Sequence, residues 1–435
     1  MLINFSVKNY KSYKDSKNIS LELTQSVDKE DEGKFFDTTF KDLNLLNSLV
    51  IYGQNASGKT NLIKALFFVR EFIKKAPSDG MPEDRIANDA LLNSFKLNKE
   101  TLTKPSEFEI DFIVEQEKEK IRCLFNFVAD KFKVYKETLS IQGEKEKSFK
   151  YLYKRILKDK DSYEYKFNEK VELAQKLKKQ SNNLISQTRH NSLFLSKLAS
   201  ENYVKMEIIE SVYKWFIEKL FVFPKGTTNG GVTIEKIKQG GKEKDRVLDF
   251  LQAADFSIKD IELSEKQVSL QNQTTQEIKN ITVFDIYTKH KVTGSNGYES
   301  LNLLTEESKG TQKVFELAGD WLNILDKGLT IFFDELDTSL HPDIVVFLIK
   351  LLQDKTKNKN NAQLVFTAHN TRFLSNNLKL FRKDQIYIVD KEKDQSSNLY
   401  NLVSFGGVQK KDSKENQYNA GRYGGKPYVF IDGVN

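Results

Sequence analysis

Cysteine, proline and tryptophan are all scarce: of 435 residues one is cysteine (Cys123), six are proline and two are tryptophan. A single cysteine excludes an internal disulfide and a multi-cysteine zinc site, and suits a reducing compartment. With so few prolines, and with 39% hydrophobic against 30% charged residues, the chain is neither a collagen-like polymer nor a disordered polyelectrolyte. No apolar run reaches the roughly 20 residues that cross a bilayer. Met1-Leu2-Ile3-Asn4-Phe5 lacks the basic start and apolar core of a signal peptide. These absences lead us to expect a cytoplasmic protein with no membrane partner. Charge of one sign is also in short supply. The balance of 68 Lys+Arg against 61 Asp+Glu gives +7, which would assist contact with DNA or an acidic partner and equally reflects a Lys- and Asn-rich composition.

The length suits two or three lobes, or one large domain with an insertion. Ile3, Phe5 and Val7 alternate with polar residues, and a second strand is expected over Ile19 to Leu23. Leu49 to Tyr52 is a short buried-strand pattern that runs into glycine and then a helix with Leu62, Ile63, Leu66, Phe67, Phe72 and Ile73 on one face. Phe108 to Val114, Ile121 to Val128 and Val134 to Leu139 suggest an antiparallel meander. From about Ile141 to Val204 the composition turns to Lys, Glu, Gln and Leu, which predicts an inserted helical lobe too short for a coiled-coil arm. Gly226 to Gly241 reads as a glycine and lysine loop, and Val247 to Ile261 as a helix leading to a strand. Leu329 to Phe333 and Leu364 to Thr367 are apolar strands separated by a helix from about Pro342 to Leu352. The expected division is residues 1–140 and 291–435 as two halves of one α/β domain, with 141–290 as a mainly helical insertion or lid.

Gly53-Gln54-Asn55-Ala56-Ser57-Gly58-Lys59-Thr60 fits the phosphate-binding loop G-x-x-x-x-G-K-[ST]. Chance would supply such a match in roughly one or two chains per hundred of this length. The strand before it and the helix after it are what the mechanism needs, because glycines let backbone N–H groups curl around phosphate and the helix N-terminus adds its positive end. Lys59 is expected to reach the β- and γ-phosphates of ATP, and Thr60 to ligate Mg²⁺. Ile331-Phe332-Phe333-Asp334-Glu335 ends a strand in two carboxylates. Alone this is an ordinary solvated turn, but beside a phosphate loop it reads as a Walker B element, with Asp334 holding Mg²⁺ and Glu335 polarising the attacking water. Ala362 to His369 is a third strand, delivering His369 where ligands of open α/β sheets bind. His190 and His290 receive no role, and His341 beside Pro342 reads as a packing or capping residue.

Glu307-Ser308-Lys309-Gly310-Thr311-Gln312 places a small polar residue and a glycine at a helix start before the Walker B strand. The order phosphate loop, Ser-x-Gly-x-Gln, Asp-Glu, Leu-Asp, His resembles that of ABC-type ATPases. That resemblance implies a P-loop NTPase of the ABC-ATPase head type, a mixed sheet with an antiparallel β subdomain, working as a head-to-tail dimer around two ATP molecules. Glu307 to Thr311, Phe333 to Pro342, Asn361 to Asn370, Arg382 to Ile386 and Gly421-Arg422-Tyr423-Gly424-Gly425-Lys426-Pro427 are similar to bacterial AAA/ABC-type ATPases of the RloA and AbiLi kind, which are related to the OLD, Rad50 and SMC heads. Ser192 to Ser196 and Ala254 to Ile258 resemble linking segments of those proteins.

The family likeness implies a phage-defence ATPase paired with an effector, an RloB-like, TOPRIM or HNH nuclease. Carried over residue by residue, it gives Gly53, Asn55, Gly58, Lys59, Thr60 and Asn61 to nucleotide, Thr60 and Asp334 to Mg²⁺, Ser308 and Gly310 to the opposing nucleotide, Asp337 to the dimer interface, and Glu335 and His369 to hydrolysis. Lys309 and Thr311 depart from the usual Leu-Ser-Gly-Gly-Gln signature. No Q-loop glutamine is placed; Gln116 lies in a charged turn. Two other functions compete, and a third, the energy subunit of a membrane transporter, is disfavoured by the expected helical insertion and the missing Q-loop glutamine. A RecF- or Rad50-like repair ATPase would use the basic charge to grip DNA, with steep salt dependence. An OLD-like nuclease would use Asp390 and Glu392 as metal ligands; the pair reads better as a solvated turn, and the short stretch after His369 leaves little room for a TOPRIM domain.

Overall fold

The computed structural model describes residues 1–74, 92–116, 119–159, 162–200, 206–224, 230–254, 257–271, 278–338, 340–405 and 413–426. Asp255, Phe256, Ser339, Pro427 and the start of the expected 226–241 loop lie outside these residues.

The chain opens with β1 (Leu2–Lys8) and β2 (Lys17–Ser20), then the short β3 (Phe35–Asp37) and β4 (Asn44–Leu46). β5 (Ser48–Gly53), α1 (Lys59–Lys74) and the single turn α2 (Lys99–Leu102) follow. Next come β6 (Ser106–Gln116), β7 (Glu119–Ala129), β8 (Val134–Gly143), β9 (Lys150–Leu157) and β10 (Tyr163–Phe167). Helices α3 (Glu172–Gln187), α4 (Phe194–Ser200) and α5 (Glu207–Lys214) precede β11 (Leu220–Phe223). α6 (Gly231–Gln239), α7 (Gly241–Ala254), β12 (Ile258–Gln271), β13 (Ile278–Lys291), β14 (Tyr298–Asn302) and α8 (Lys309–Lys327) lead to β15 (Thr330–Phe333). The chain continues with α9 (Pro342–Gln353), β16 (Gln363–Thr367), β17 (Ile386–Lys391), β18 (Ser397–Asn401) and α10 (Lys414–Asn419).

Two compact units result, one of Met1–Gly226, Lys327–Leu336 and Ile349–Asn435, the other of Thr227–Asp326 and Asp337–Leu348. The larger unit holds an antiparallel seven-stranded sheet, order β10-β9-β8-β7-β6-β1-β2, and a six-stranded sheet, order β11-β15-β16-β5-β17-β18. In the second, β11, β15, β16, β5 and β17 run parallel and β18 is antiparallel. Strand β16 is late in the chain yet lies between β5 and β15. The loops that leave β5, β15 and β16 therefore emerge from neighbouring carboxyl ends of one sheet, the edge where such sheets bind ligands.

One apolar cluster joins Phe5, Val7, Phe108, Phe125 and Phe127 of the first sheet, Leu62, Ile63, Leu66 and Phe72 of α1, and Leu49, Ile51, Phe332 and Val365 of the second. α1 thus contributes to the core shared by the two sheets, and each buried Phe or Leu contributes about 1.5–3 kcal/mol. The meander over β6 to β8 appears as expected.

The helical stretch is narrower than the composition implied. Within 141–290, β9, β10, β12 and β13 are strands, and the last two pair with β14 as an antiparallel sheet of the smaller unit. Composition misled because charged residues of this region are not all on the surface. Arg155 is fully buried, as is its partner Glu137 on the preceding strand β8; Arg155 donates to Arg189 O (2.8 Å) and Ser192 O (2.5 Å), and Glu137 accepts from the backbone N–H of Phe194 and Leu195 (2.6 and 2.8 Å). This polar network ties the segment Ser192–Ser196 to the antiparallel sheet. The 231–239 part of the expected glycine loop is the helix α6, and the second strand closes at Ser20 rather than Leu23.

Candidate active site

Strand β5 ends at Gly53 and α1 begins at Lys59, so five residues connect a strand end to a helix start. Gly58 has φ +119°, and a Cβ there would lie 2.1 Å from Ser397 Oγ. At Gly53 a Cβ would lie 2.3 Å from Val389 O. Both positions demand glycine. The loop is clamped by side chains distant in sequence: Ser397 Oγ donates to Ser57 O and lies 2.7 Å from Ser12 Oγ, Asn61 Nδ2 donates to Ser12 Oγ (2.8 Å), and the Tyr13 hydroxyl donates to Gly58 O (3.0 Å). Asn55 is exposed at the loop tip. Lys59 is buried and its Nζ donates to Gly53 O (2.7 Å) and Gln54 O (3.2 Å).

Asp334, just past β15, is buried, and its backbone N–H donates to Phe223 O (3.0 Å). Its Oδ1 accepts from Thr367 Oγ1 (2.7 Å) and its carboxylate also from the Thr60 hydroxyl. Burial holds the Asp334 carboxyl above the ordinary carboxylate range, although Thr367, Thr60 and the Lys59 charge all pull it down. Glu335 adopts φ +55°, a left-handed conformation that costs a non-glycine residue about 1–3 kcal/mol. Its N–H donates to Thr367 Oγ1 (2.7 Å), and its Oε1 lies 3.5 Å from His369 Nε2. Both of those side chains are half-exposed. Lys59, Thr60, Asp334, Glu335 and His369 are therefore brought together.

Thr367, the last residue of β16, carries no motif signal, yet its one hydroxyl serves both carboxylate residues. Thr367→Val is expected to destabilise the chain by about 1–3 kcal/mol, because a buried carboxylate and a backbone N–H each lose a partner. Thr367→Ser should restore it. Urea unfolding of the two variants checks this, and equal midpoints for Val and wild type would refute the bridging role.

Other contributors carry no spacing signal. A cavity of about 390 Å³ beside the loop is lined by Lys11, Ser12, Ala56, Asn61, Lys96 and Lys391 among others. Only tertiary pairing brings Lys11 to Tyr13 beside Gly58. The Gly421–Lys426 stretch also returns to the loop. Tyr418 OH donates to Gly425 O (3.0 Å) and hydrogen-bonds the Gly53 backbone N–H, and its ring lies 5.4 Å from that of Tyr52. Asp390 corrects the solvated-turn expectation: it is half-buried, and its Oδ1 accepts from Gln54 Nε2 (3.4 Å) and Lys391 N–H (2.8 Å). Glu392 accepts from Asn398 Nδ2 (2.7 Å). Gln116 ends β6.

In the smaller unit, Ser308 caps α8: its Oγ accepts from Thr311 N–H (3.1 Å) and lies 2.9 Å from Thr311 Oγ1. Glu307 Oε1 lies 2.7 Å from His290 Nε2, which gives that histidine a structural partner. Among the described residues a Cβ at Gly310 would meet only Ser308 Oγ, at 3.6 Å. Asp337 is half-buried, two residues beyond Glu335. His341 Nδ1 accepts from Asp343 N–H (3.3 Å), as expected of a cap.

Among the described residues no group of three or more His, Cys, Asp or Glu side chains converges as a metal cage. No described helix is long and apolar enough to cross a membrane.

A phosphate loop between a parallel strand and a helix, with an acidic strand end one strand removed, defines a P-loop NTPase. The chain belongs to the family described as "AAA domain, putative AbiEii toxin, Type IV TA system", which matches residues 48–375. No curated protein matches it significantly. Among solved structures it is similar to the SMC head domain from Thermotoga maritima, at 13% identity over 92% of this chain and 98% of that one, with a TM-score of 0.38. It is also similar to an Smc head domain with a coiled coil and joint derived from Pyrococcus yayanosii, at 11% identity over 92% and 96%, with a TM-score of 0.40.

Proposed function

We propose that the chain binds and hydrolyses ATP with Mg²⁺, closes as a homodimer around two nucleotides, and serves as the cytoplasmic sensor or regulator of a bacterial anti-phage system whose effector is a separate RloB-like, TOPRIM or HNH nuclease. The observation that carries the ATPase reading is the unbroken path from Thr60 through Asp334 and Thr367 to Glu335, with His369 beside it. Thr60 and Asp334 offer hard oxygen donors, which suit Mg²⁺ shared with phosphates and water. When bound, the ion neutralises charge on the β- and γ-phosphates.

In this reading Gly53, Asn55, Gly58 and Asn61 shape the phosphate cradle and Lys59 turns from the loop carbonyls to phosphate oxygens. Glu335 Oε accepts the proton of the attacking water, and His369 orients Glu335 and the γ-phosphate side. Ser308 and Gly310 at the start of α8 meet the nucleotide of the opposing copy. This chain's own described packing leaves room for more than glycine at 310, which supports an approach from outside it. Asp337 lies at that interface, and the nucleotide is held by the larger unit, which contains the phosphate loop, Asp334, Glu335 and His369.

The defence role follows from the RloA/AbiLi likeness and from the toxin–antitoxin wording of the family description. The engagement of Asp390 by Gln54 and Lys391 argues against a nuclease centre there. A repair ATPase remains the second reading, on the +7 charge.

The dimer is tested by light scattering. Glu335→Gln with ATP and Mg²⁺ should double in mass, and adding Ser308→Arg should return it to the nucleotide-free size. Unchanged mass in Glu335→Gln would refute the sandwich.

A further inference from the structure

A second cavity, about 330 Å³ in volume, lies in the larger unit and shares no residue with the site above. Five cationic side chains line it: Lys34, Lys379, Arg382, Lys383 and Lys414. The three carboxylates in its wall, Asp28, Glu30 and Asp31, are engaged. Glu30 pairs with Lys379 (2.8 Å), and Asp31 with Lys34 (3.3 Å) and with Arg382, which also holds Asp384 (2.9 Å). The Asp28 side chain caps the turn at 29–31.

Lys414 is the anomaly. Among the described residues it makes no ion pair, and its Nζ donates to the neutral Asn376 Oδ1 (3.2 Å). It is partly buried, it is the first residue of α10, where positive charge opposes the helix dipole, and it faces other lysines. Burial, then the charges of Lys34 and Lys383, lower its pKa, with Asp31 acting in the opposite direction. Three unfavourable terms therefore meet on one side chain, and an anion in the cavity relieves all of them.

We infer that this cavity binds a phosphate group carried by a small molecule, held by Lys34, Lys383 and Lys414. Convergent ammonium groups suit a multiply charged tetrahedral anion. The volume is at the lower end of the roughly 300–1,000 Å³ of small-molecule sites, which fits a mononucleotide-sized ligand. Carboxylates interleaved with the lysines oppose the continuous charge of a nucleic-acid backbone. The site is linked to the phosphate loop, because Lys414 and Tyr418 lie one turn apart on α10 and Tyr418 hydrogen-bonds Gly53 and Gly425.

The test is calorimetry at low salt with the Lys59→Ala chain, so that the phosphate loop does not contribute, titrated with inorganic phosphate, pyrophosphate and AMP. One site is expected, weakened at least about tenfold by Lys383→Met with Lys414→Met, the effect of losing charge-assisted hydrogen bonds. A parallel series on the otherwise wild-type chain uses melting temperature. Without added anion Lys414→Met should melt no lower than wild type, and phosphate should raise the wild-type value but not that of the double variant. Absence of any site, equal affinity in the double variant, binding of a single-stranded oligonucleotide in place of the small phosphates, or a lower melting temperature for anion-free Lys414→Met would each overturn the assignment.

Discussion

Glu335→Gln should slow ATP turnover by about 10²- to 10⁴-fold, the usual worth of a positioned general base, while ATP remains bound. Glutamine keeps the volume of glutamate but cannot take a proton from water. The backbone argues that position 335 is built for chemistry rather than for stability. Its left-handed φ of +55° is held by the N–H bond to Thr367 Oγ1, and a left-handed non-glycine residue stores about 1–3 kcal/mol of strain. Glu335→Gly should therefore match or exceed the wild type in stability and share the catalytic loss of Glu335→Gln. Phosphate release under saturating ATP, with retained nucleotide assayed on the desalted protein, measures the effect. Turnover equal to wild type in Glu335→Gln would remove Glu335 as the base.

Lys59→Ala should weaken ATP binding by about 10²-fold or more, the scale of deleting a buried charge from a charge-assisted contact. Two losses combine. The phosphates lose their ammonium, and the Asp334 carboxyl loses a charge that lowers its pKa. That pKa is already raised by burial, so without Lys59 a larger fraction of Asp334 is protonated and unable to hold Mg²⁺. The sign follows: raising pH should recover part of the Mg²⁺-dependent affinity of Lys59→Ala but none of the direct phosphate contact. Titration of a fluorescent ATP analogue with and without Mg²⁺, at two pH values, separates the two losses. An unchanged dissociation constant would show that the loop does not cradle phosphate.

The residues proposed for catalysis were legible because each stands at the end of a short apolar strand. β5, β15 and β16 are buried along their whole length, so their sequences read as continuous apolar runs, and the polar residue that follows each run marks the sheet edge. The residues that hold those side chains in place were not legible. Ser12 and Tyr13, in the turn between β1 and β2, and Ser397, at the start of β18, reach the loop from opposite ends of the chain, and Thr367 looks like any strand threonine until its hydroxyl is seen between Asp334 and the Glu335 N–H. The misread region has a related cause. Lys- and Glu-rich composition favours a solvated helix only if the charges face water, and Arg155 with Glu137 are paired inside the core.

What the sequence alone determined was local: a glycine loop that only a strand and a helix can flank, carboxylates at a strand end, and the order of these motifs along the chain. These depend on residue type and short spacing, which need no knowledge of the distant chain. The tertiary structure decided what depends on contacts across hundreds of residues. Those include the insertion of β16 between β5 and β15, the clamp on Gly58, the return of Tyr418 to Gly53, and the lysine-lined cavity. Sheet pairing and helix packing bring those groups together, and no spacing along the chain encodes their proximity.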